Sequence, residues 1–441
     1  MLPEVSELLP LVDPQILGRR LQAARLAAGL SATDLGLGDE ALGEVEDGRV
    51  RASLALLEVV AERAGTSVDV LVTGLPRAVL MDIQGELDLA GFGVSASNTT
   101  TALAAADRAL ERLTGATAPP LARAARRLRA SALEAAGDLS SAIVDLRAIT
   151  AEPLPEVQWV KDLMALCRCY RDTGRLDEAI EVAESRRGDI RALGLAETTE
   201  ALQLTITTAT AYDGRGESGQ ARRVCKRAAR EAQRLGLTVA HASALWNQSL
   251  AVLNDGDPEG ALAPALEALD LFITHDDTRN LARLRVHIAI TQLALQPPDV
   301  LGALSILDRA REELERSTAS TVDVAIHRLI TAQALQLAGD DERAAAVLAE
   351  SEALIPADIP TVRAWQAALR GRLAAGRGDL DEARGHYQEA VTIMYAHSPA
   401  TDADSGQLWF ELGEVLTELG EGRLALEAYR SAGVARGLRV T

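Results

Sequence analysis

One alanine recurs along this 441-residue chain at intervals of 37 to 42 residues, and the residues around it recur with it. A glycine followed by a polar residue comes shortly before most copies, as in Gly174-Arg175 and Gly420-Glu421. Self-similarity at such a period is typical of stacked helix pairs, in which each pair completes the core of its neighbour. The eight copies are Ala142, Ala179, Ala221, Ala261, Ala303, Ala344, Ala383 and Ala425.

The residues around the alanine follow a fixed order of large and small side chains. The clearest copy reads Trp409-x-x-Leu412-Gly413-x-x-Leu416-x-x-x-Gly420-x-x-x-x-Ala425-x-x-x-Tyr429-x-x-Ala432, and a second runs from Leu163 to Ala179. This order resembles the tetratricopeptide-repeat motif, in which two helices approach closely at small residues and large residues fill the remaining space. The intervals exceed the ~34 residues of the standard repeat, so we expect each pair to carry about one extra turn.

The composition favours the same all-α fold. Hydrophobic residues make up 48% of the chain but aromatic residues only 3%, so the core must be built from alanine, leucine and valine. Small apolar side chains suit closely packed helices better than sheets, whose faces favour aromatic and β-branched residues. We therefore expect a tetratricopeptide-repeat superhelix of about eight long helix pairs over residues 98–441, preceded by a small helical domain.

Residues 14–74 differ in pattern from the repeats. The segments Leu17-Gly18-Arg19-Arg20-Leu21 to Ser31 and Val45-Glu46-Asp47-Gly48-Arg49 to Leu54 resemble the Xre-type helix-turn-helix family. We assign residues 1–74 to such a domain, in a degenerate form, and residues 75–97 to a linker. Together with the repeats, the resemblance implies an RRNPP-like regulator, in which a peptide held by the repeats controls a helix-turn-helix.

Two departures from the Xre pattern concern DNA binding. Between Ser31 and Glu46 the chain is short by roughly one helical turn, which leaves only a stub of the second helix. From Ser31 to Gly48 there are six acidic residues and no basic one, and this stretch includes the helix that the family places in the major groove. Flanking arginines that could still contact phosphates are Arg19, Arg20, Arg25, Arg49 and Arg51.

The net charge of −19 bears on the same question. A surface with this charge repels nucleic acid and anionic lipid as a whole. The interpretation that the charge favours is a regulatory protein whose repeats bind a peptide or protein segment, with an N-terminal module for protein contact or dimerisation. The alternative, which the resemblance favours, is a peptide-responsive DNA-binding transcriptional regulator.

In the fold that the repeats resemble, the first helix of each pair lines a concave groove. The resemblance implies that the following residues point into it: Lys161, Met164, Arg168, Arg171, Trp246, Leu250, Asn254, Gln333, Gln336, Trp365 and Arg372. The cationic residues of the second repeat suit a carboxylate, the tryptophans offer apolar anchors, and the amides can bond a peptide backbone. The alternative for each residue is a solvated charge or packing within a helix pair.

Sequence patterns of catalysis and metal binding are not found. The six histidines are scattered without metal-ligand spacing, and no phosphate-binding loop, nucleophile elbow or dinucleotide fingerprint occurs. Three cysteines cannot form a secreted disulfide framework, and no run approaches the ~18 apolar residues of a membrane helix. We therefore expect a cytoplasmic protein that is not an enzyme, holds no metal or cofactor, and does not enter a membrane.

The last repeat helix is apolar around most of its circumference. Such a helix needs cover on both faces, and a second copy related by a two-fold axis is the commonest cover. We therefore expect a homodimer whose interface includes Leu424, Leu426, Tyr429, Val434 and Leu438. The alternative is that this face packs on the preceding repeat or stays partly exposed.

Overall fold

The computed structural model describes residues 2–96, 98–274, 278–317, 320–354, 359–397 and 403–435. Over these residues every regular element is a helix, which confirms the all-α fold. The chain forms two compact units, Met1–Glu152 and Pro153–Thr441. Within the described ranges no helix combines the length and apolar character that crossing a bilayer requires.

The first unit begins with a cluster of short helices around one apolar core. They are α1 (Val5–Leu8), a 3-10 helix (Leu9–Leu11), α2 (Pro14–Ala27), a 3-10 turn (Thr33–Leu35), α3 (Asp39–Glu46), α4 (Leu54–Ala64) and α5 (Val68–Thr73). Leu17, Leu21, Leu57 and Val60 are fully buried at its centre. The expected stub of a helix after Ser31 is a single 3-10 turn over Thr33–Leu35.

Two glycines allow α2 to approach α3 closely. A Cβ at Gly18 would lie 2.4 Å from the carbonyl oxygen of Glu46, well inside van der Waals contact. Gly48 has a φ of +73°, which favours glycine, and its Cβ would lie 2.6 Å from the Cα of Gln15. Two of the residues that carry the Xre resemblance therefore fix the packing of α2 on α3.

The first unit continues with four longer helices. They are α6 (Arg77–Ser95), α7 (Thr99–Arg112), α8 (Pro119–Ala135) and α9 (Leu139–Thr150). Residues 75–97, which we expected to be a linker, therefore consist mostly of a helix. The reason is an apolar face at helical spacing, with Leu80, Ile83 and Leu87 buried. Gly93 lets α7 approach, because a Cβ there would lie 2.8 Å from the backbone nitrogen of Ala102.

The second unit consists of seven helix pairs. They are α10 (Val157–Asp172) with α11 (Leu176–Ala192), α12 (Thr199–Gly214) with α13 (Ser218–Leu235), α14 (Thr238–Asn254) with α15 (Pro258–Ile273), α16 (Thr278–Leu293) with α17 (Val300–Arg316), α18 (Thr321–Leu337) with α19 (Asp341–Glu352), α20 (Pro360–Gly376) with α21 (Leu380–His397), and α22 (Ala403–Glu418) with α23 (Gly422–Ala435). With α8 and α9 of the first unit, the described residues contain the sixteen repeat helices that the sequence predicts.

Each recurring alanine is the fourth residue of the second helix of its pair. All eight are at most 3% exposed. The residue twelve positions earlier lies on the first helix of the pair and is buried in every copy. It is small in seven copies and threonine in one: Ala130, Cys167, Ala209, Ser249, Thr291, Ala332, Gly371 and Gly413. In two pairs this residue bonds across the contact, since Cys167 Sγ donates to the Ala179 carbonyl at 3.4 Å and Ser249 Oγ donates to the Ala261 carbonyl at 2.7 Å.

Where this residue is glycine, a tyrosine ring covers it. A Cβ at Gly371 would lie 2.6 Å from the ring of Tyr387, and a Cβ at Gly413 would lie 2.7 Å from the ring of Tyr429. Tyrosine and glycine thus form one packing unit in the last two pairs.

We predict that Gly371→Ala lowers the free energy of unfolding by ~1–3 kcal/mol, because the new methyl group overpacks against Tyr387. Gly385→Ala, in the same helix pair, is the matched control, since its Cβ would meet nothing within 4 Å. That control should leave stability unchanged or raise it by up to ~1 kcal/mol. Urea denaturation of both variants measures the difference, and equal stability would contradict the proposed packing.

Candidate ligand-binding cavity

The second unit contains a partly open cavity of about 950 Å³. Its walls come mainly from α14, α16, α18, α20 and α22, which are the first helices of five successive pairs. Because each pair stacks on the next in the same way, all first helices share one face of the stack. In this unit α14 also lies beside α22, so the face curves back on itself and surrounds the cavity.

Most of the lining is apolar. It includes Leu250, Val286, Ile290, Ile326, Ile330 and Phe410, together with the rings of Trp246 and Trp365. The volume lies at the upper end of the ~300–1,000 Å³ that is typical of ligand pockets, which are also mainly apolar with a few polar groups. The cavity therefore has the size and chemistry of a binding site.

Five of the residues predicted for the groove line this cavity. They are Trp246, Leu250, Asn254, Gln333 and Trp365. Gln336 and Arg372 do not line it. The Oε1 atom of Gln336 is buried and has no hydrogen-bond partner among the described residues. Arg372 forms an ion pair with Glu411, which does line the cavity.

The predicted cationic patch lies on α10, outside the cavity lining, as does Met164. Lys161 pairs with Glu200 at 3.5 Å, and Arg171 pairs with Asp172 at 2.7 Å and donates to Thr210 at 3.3 Å. Arg168, on the same helix, also has an interaction partner. The structure thus separates these four residues from the other groove residues, because the curvature encloses only the first helices from α14 onward.

A charged group on the cavity wall could not be identified from the repeat pattern. Asp323 accepts a hydrogen bond from Arg279 at 2.8 Å and pairs with Arg283 at 3.5 Å. Burial alone would raise the pKa of Asp323, but hydrogen bonds from Ser320 and Arg279 outweigh burial and hold that pKa below its usual range. Asp323 is therefore ionised at neutral pH and orients both arginines.

Trp246 is held in place by aromatic and cationic neighbours. Its ring meets Phe272 edge to face at 6.3 Å, and the Arg283 guanidinium lies 5.8 Å from its centroid. The indole nitrogen is buried and donates no hydrogen bond to the described residues. Trp246 therefore presents a fixed apolar surface and one unused donor.

A buried serine and histidine meet at the cavity wall. The Nε2 of His287 lies 2.8 Å from Ser249 Oγ, whose single proton is donated to the Ala261 carbonyl. His287 Nε2 must therefore carry a proton and donate it to Ser249. Ser249 is fully buried. This geometry is the reverse of a serine nucleophile activated by a histidine base, in which the hydroxyl donates to the imidazole.

Burial lowers the pKa of His287 to about 4. In the unfolded chain this histidine has its ordinary pKa of 6.5, so between pH 7 and pH 4 the unfolded state binds a proton that the folded state does not. The free energy of unfolding therefore decreases as the pH is lowered through this range. We predict a loss of about 2 kcal/mol between pH 7 and pH 5 from this residue.

The His287→Gln variant keeps a donor for Ser249 but cannot titrate. Its stability should therefore fall less than that of the wild type over the same interval, as measured by urea denaturation at both pH values. Titration of the carboxylates and of His327 is common to both proteins and cancels in the comparison. Identical losses in the two proteins would contradict the assigned environment of His287.

The three cysteines pack in the core as free thiols. Burial raises the pKa of Cys167 and Cys225 to about 12, so both remain protonated at neutral pH. Across the part of the chain that the structure describes, no group of three or more histidine, cysteine, aspartate or glutamate residues could hold a metal ion.

In the N-terminal cluster, three candidate DNA-contact arginines make intramolecular contacts. Arg25 forms an ion pair with buried Glu46 at 2.6 Å. Arg20 donates to the Val72 carbonyl at 2.7 Å, and Arg51 donates to the carbonyls of Leu9 and Val12 at 2.7 and 2.6 Å. These side chains therefore contribute to the packing of the module.

The remaining two arginines are exposed. Arg49 pairs with Asp47 at 2.8 Å, whereas Arg19 makes no hydrogen bond or ion pair with the described residues. On α3 the exposed charges are acidic and include Asp39, Glu40 and Glu44. The helix that would enter a major groove thus presents a negative surface.

Only some of the residues predicted for a dimer interface on α23 are exposed. Leu424 and Tyr429 pack against the core of the last pairs, and the Tyr429 ring also meets Phe410 at 5.6 Å. Leu426 and Val434 are exposed, by 51% and 36%. Leu438 lies outside the described residues.

Comparison with known proteins supports the repeat assignment. The sequence model of the tetratricopeptide-repeat family matches residues 94–153, 206–275 and 368–433. No curated protein has a sequence that matches this chain.

Two solved structures resemble the chain over most of its length. The match to the apo form of RapI covers 80% of this chain and 97% of the RapI chain, with 14% sequence identity and a TM-score of 0.52. The second structure is the Rap conjugation gene regulator of plasmid pLS20, solved in complex with the Phr* peptide. The match covers 80% of this chain and 94% of the regulator, with 11% sequence identity and a TM-score of 0.53. These likenesses show a shared repeat fold.

Proposed function

We propose that this chain is a regulatory tetratricopeptide-repeat protein that binds a short peptide or protein segment in the cavity of its second unit. The observation that carries the proposal is the cavity itself, with its size and its lining. Five successive first helices surround about 950 Å³ of mainly apolar space. A monomer gains no stability from leaving such a space without a protein side chain to fill it, so a ligand is its best explanation.

The polar groups of the cavity favour a peptide over a purely apolar molecule. Asn254 donates one amide hydrogen to Asp213 at 2.7 Å, and its carbonyl oxygen makes no hydrogen bond with the described residues. Gln333 makes no hydrogen bond to described residues and keeps a full amide for a ligand. Amide side chains complement backbone N–H and C=O groups, while Trp246 and Trp365 can anchor side chains.

The likeness to peptide-binding proteins supports the proposal at the level of the fold. The Rap regulator of pLS20 was solved with a peptide, so a repeat stack of this kind can hold one. The identity of the ligand does not follow from that likeness, since function depends on the residues of the site.

For the N-terminal module we propose a role in protein contact or dimerisation. Arg20, Arg25 and Arg51 are engaged in intramolecular bonds, and α3 presents acidic side chains. A duplex approaching α3 would meet repulsion without the compensating cations that phosphate binding needs. Dimerisation through Leu426 and Val434 of α23 also remains a proposal, as does a cytoplasmic location.

We predict that the wild-type protein, incubated with DNase-treated lysate of its source organism, retains a low-mass peptide that mass spectrometry detects. Trp365→Ala should reduce the recovered amount at least tenfold, because an aromatic anchor in a pocket commonly contributes ~2 kcal/mol or more. Lys161→Ala is the matched control on a first helix outside the cavity, and it should retain the ligand. Equal recovery from all three proteins would contradict binding in this cavity.

We also predict that the protein shows no salt-dependent affinity for duplex DNA. Reversing two exposed charges, with Asp39→Lys and Glu40→Lys together, should create weak binding that disappears between about 50 and 200 mM salt. Fluorescence anisotropy of a labelled genomic fragment measures both proteins. Tight, salt-sensitive binding by the wild type would support the alternative function, a DNA-binding transcriptional regulator.

A further inference from the structure

We propose that the cavity is electrically polarised and that Arg279 and Arg283 form a subsite for a ligand carboxylate. The inference deepens the proposed function and rests on it, since it names the end of the cavity that receives the anionic terminus of a short peptide. It also gives the ligand a direction within the cavity.

The first observation is an excess of positive charge at Asp323. Two guanidinium groups share this single carboxylate, Arg279 at 2.8 Å and Arg283 at 3.5 Å, and neither pairs with a second carboxylate among the described residues. The Asp323 side chain is only 10% exposed, whereas the two arginines are 44% and 50% exposed. Asp323 is thus covered by the arginines, and the arginines remain accessible.

The second observation is that Arg283, which lines the cavity, has N–H donors available to a ligand. It contacts Asp323 through Nε, and its two terminal nitrogens make no hydrogen bond with the described residues. The guanidinium also lies over the Trp246 ring, which limits its orientations. A planar group with free, oriented N–H donors is the preferred partner of a carboxylate, which it can bind through two parallel hydrogen bonds.

The third observation is the negative character of the opposite end. Leu253 and Leu293 line the cavity at the carboxyl-terminal ends of α14 and α16, and α15 begins beside them at Pro258. Glu259, which follows α14, lines the same end, is exposed, and forms no ion pair with the described residues. A ligand ammonium is favoured there.

The separation of the two ends sets the ligand length. Arg283 and Leu293 lie on one helix, so ten residues of helical rise place them roughly 15 Å apart. An extended chain spans at most ~3.5 Å per residue. A zwitterionic peptide of about four or five residues therefore reaches from Arg283 to the end near Glu259, with its carboxyl terminus at the arginines.

Two fluorescent probes test the subsite without a known ligand. 8-Anilino-1-naphthalenesulfonate carries an oxyanion, and N-phenyl-1-naphthylamine is the same ring system without it. Energy transfer from tryptophan to the probe reports binding close to the cavity, since Trp246 and Trp365 line it. We expect the wild type to bind the sulfonate more tightly than the neutral probe.

The decisive variant is Arg283→Gln, because Arg279 still pairs with Asp323 and the fold should be retained. The affinity for the sulfonate should fall about tenfold or more, while the affinity for the neutral probe stays within about twofold. Arg343→Gln, an exposed arginine of α19 outside the cavity lining, is the matched control and should change neither value.

The outcomes separate this inference from the proposed function. If Arg283→Gln weakens both probes equally or neither of them, the carboxylate subsite is wrong while the cavity remains a binding site. If neither probe receives energy from the cavity tryptophans in the wild type, both the subsite and the proposed function are overturned. Equal thermal midpoints of the three proteins exclude unfolding as the cause of a lost signal.

Discussion

The close contact between the two helices of each pair sets the geometry on which the rest of the structure depends. It is made by a buried alanine at the fourth position of the second helix and by a buried, mostly small residue twelve positions earlier. Small side chains at both positions let the helix axes approach, so that large residues fill only the flanks. Where the earlier residue is Gly371 or Gly413, a tyrosine ring takes the space of the missing side chain.

Repetition of this contact produces the cavity. Pairs that pack alike stack alike, so the first helices of successive pairs share one face. From α14 to α22 that face lines a cavity of about 950 Å³, and the residues on it are free of the packing role that the alanines perform. Trp246, Gln333 and Arg283 can therefore serve a ligand without weakening the contact that holds each pair together.

The repeats could be predicted from the sequence because their spacing recurs eight times, and so could the short helical turn over residues 33–35. Trp365 and Gln333 were predicted as groove residues because motif positions determine which side of a helix faces inward. Lys161 and Arg171 were predicted to lie in the same groove but do not line the cavity. The repeat pattern does not show which of the first helices border the cavity. Arg283 was missed because its importance arises from Asp323, a neighbour in space that lies 40 residues away in sequence. The helix over 77–95 lies between the segment that resembles a helix-turn-helix and the first repeat, and without a motif of its own it was assigned to a linker.

Hydrogen–deuterium exchange with the low-mass fraction of a source-organism lysate tests the central claim most directly, because it locates a ligand without assuming its identity. Exchange slows where backbone opening is suppressed by binding. We expect protection in α14, α16, α18, α20 and α22, with the second helices of the same pairs and α10 unchanged. Protection confined to α10 or to the N-terminal helices, or no protection at all, would contradict the assignment of the cavity as the ligand site.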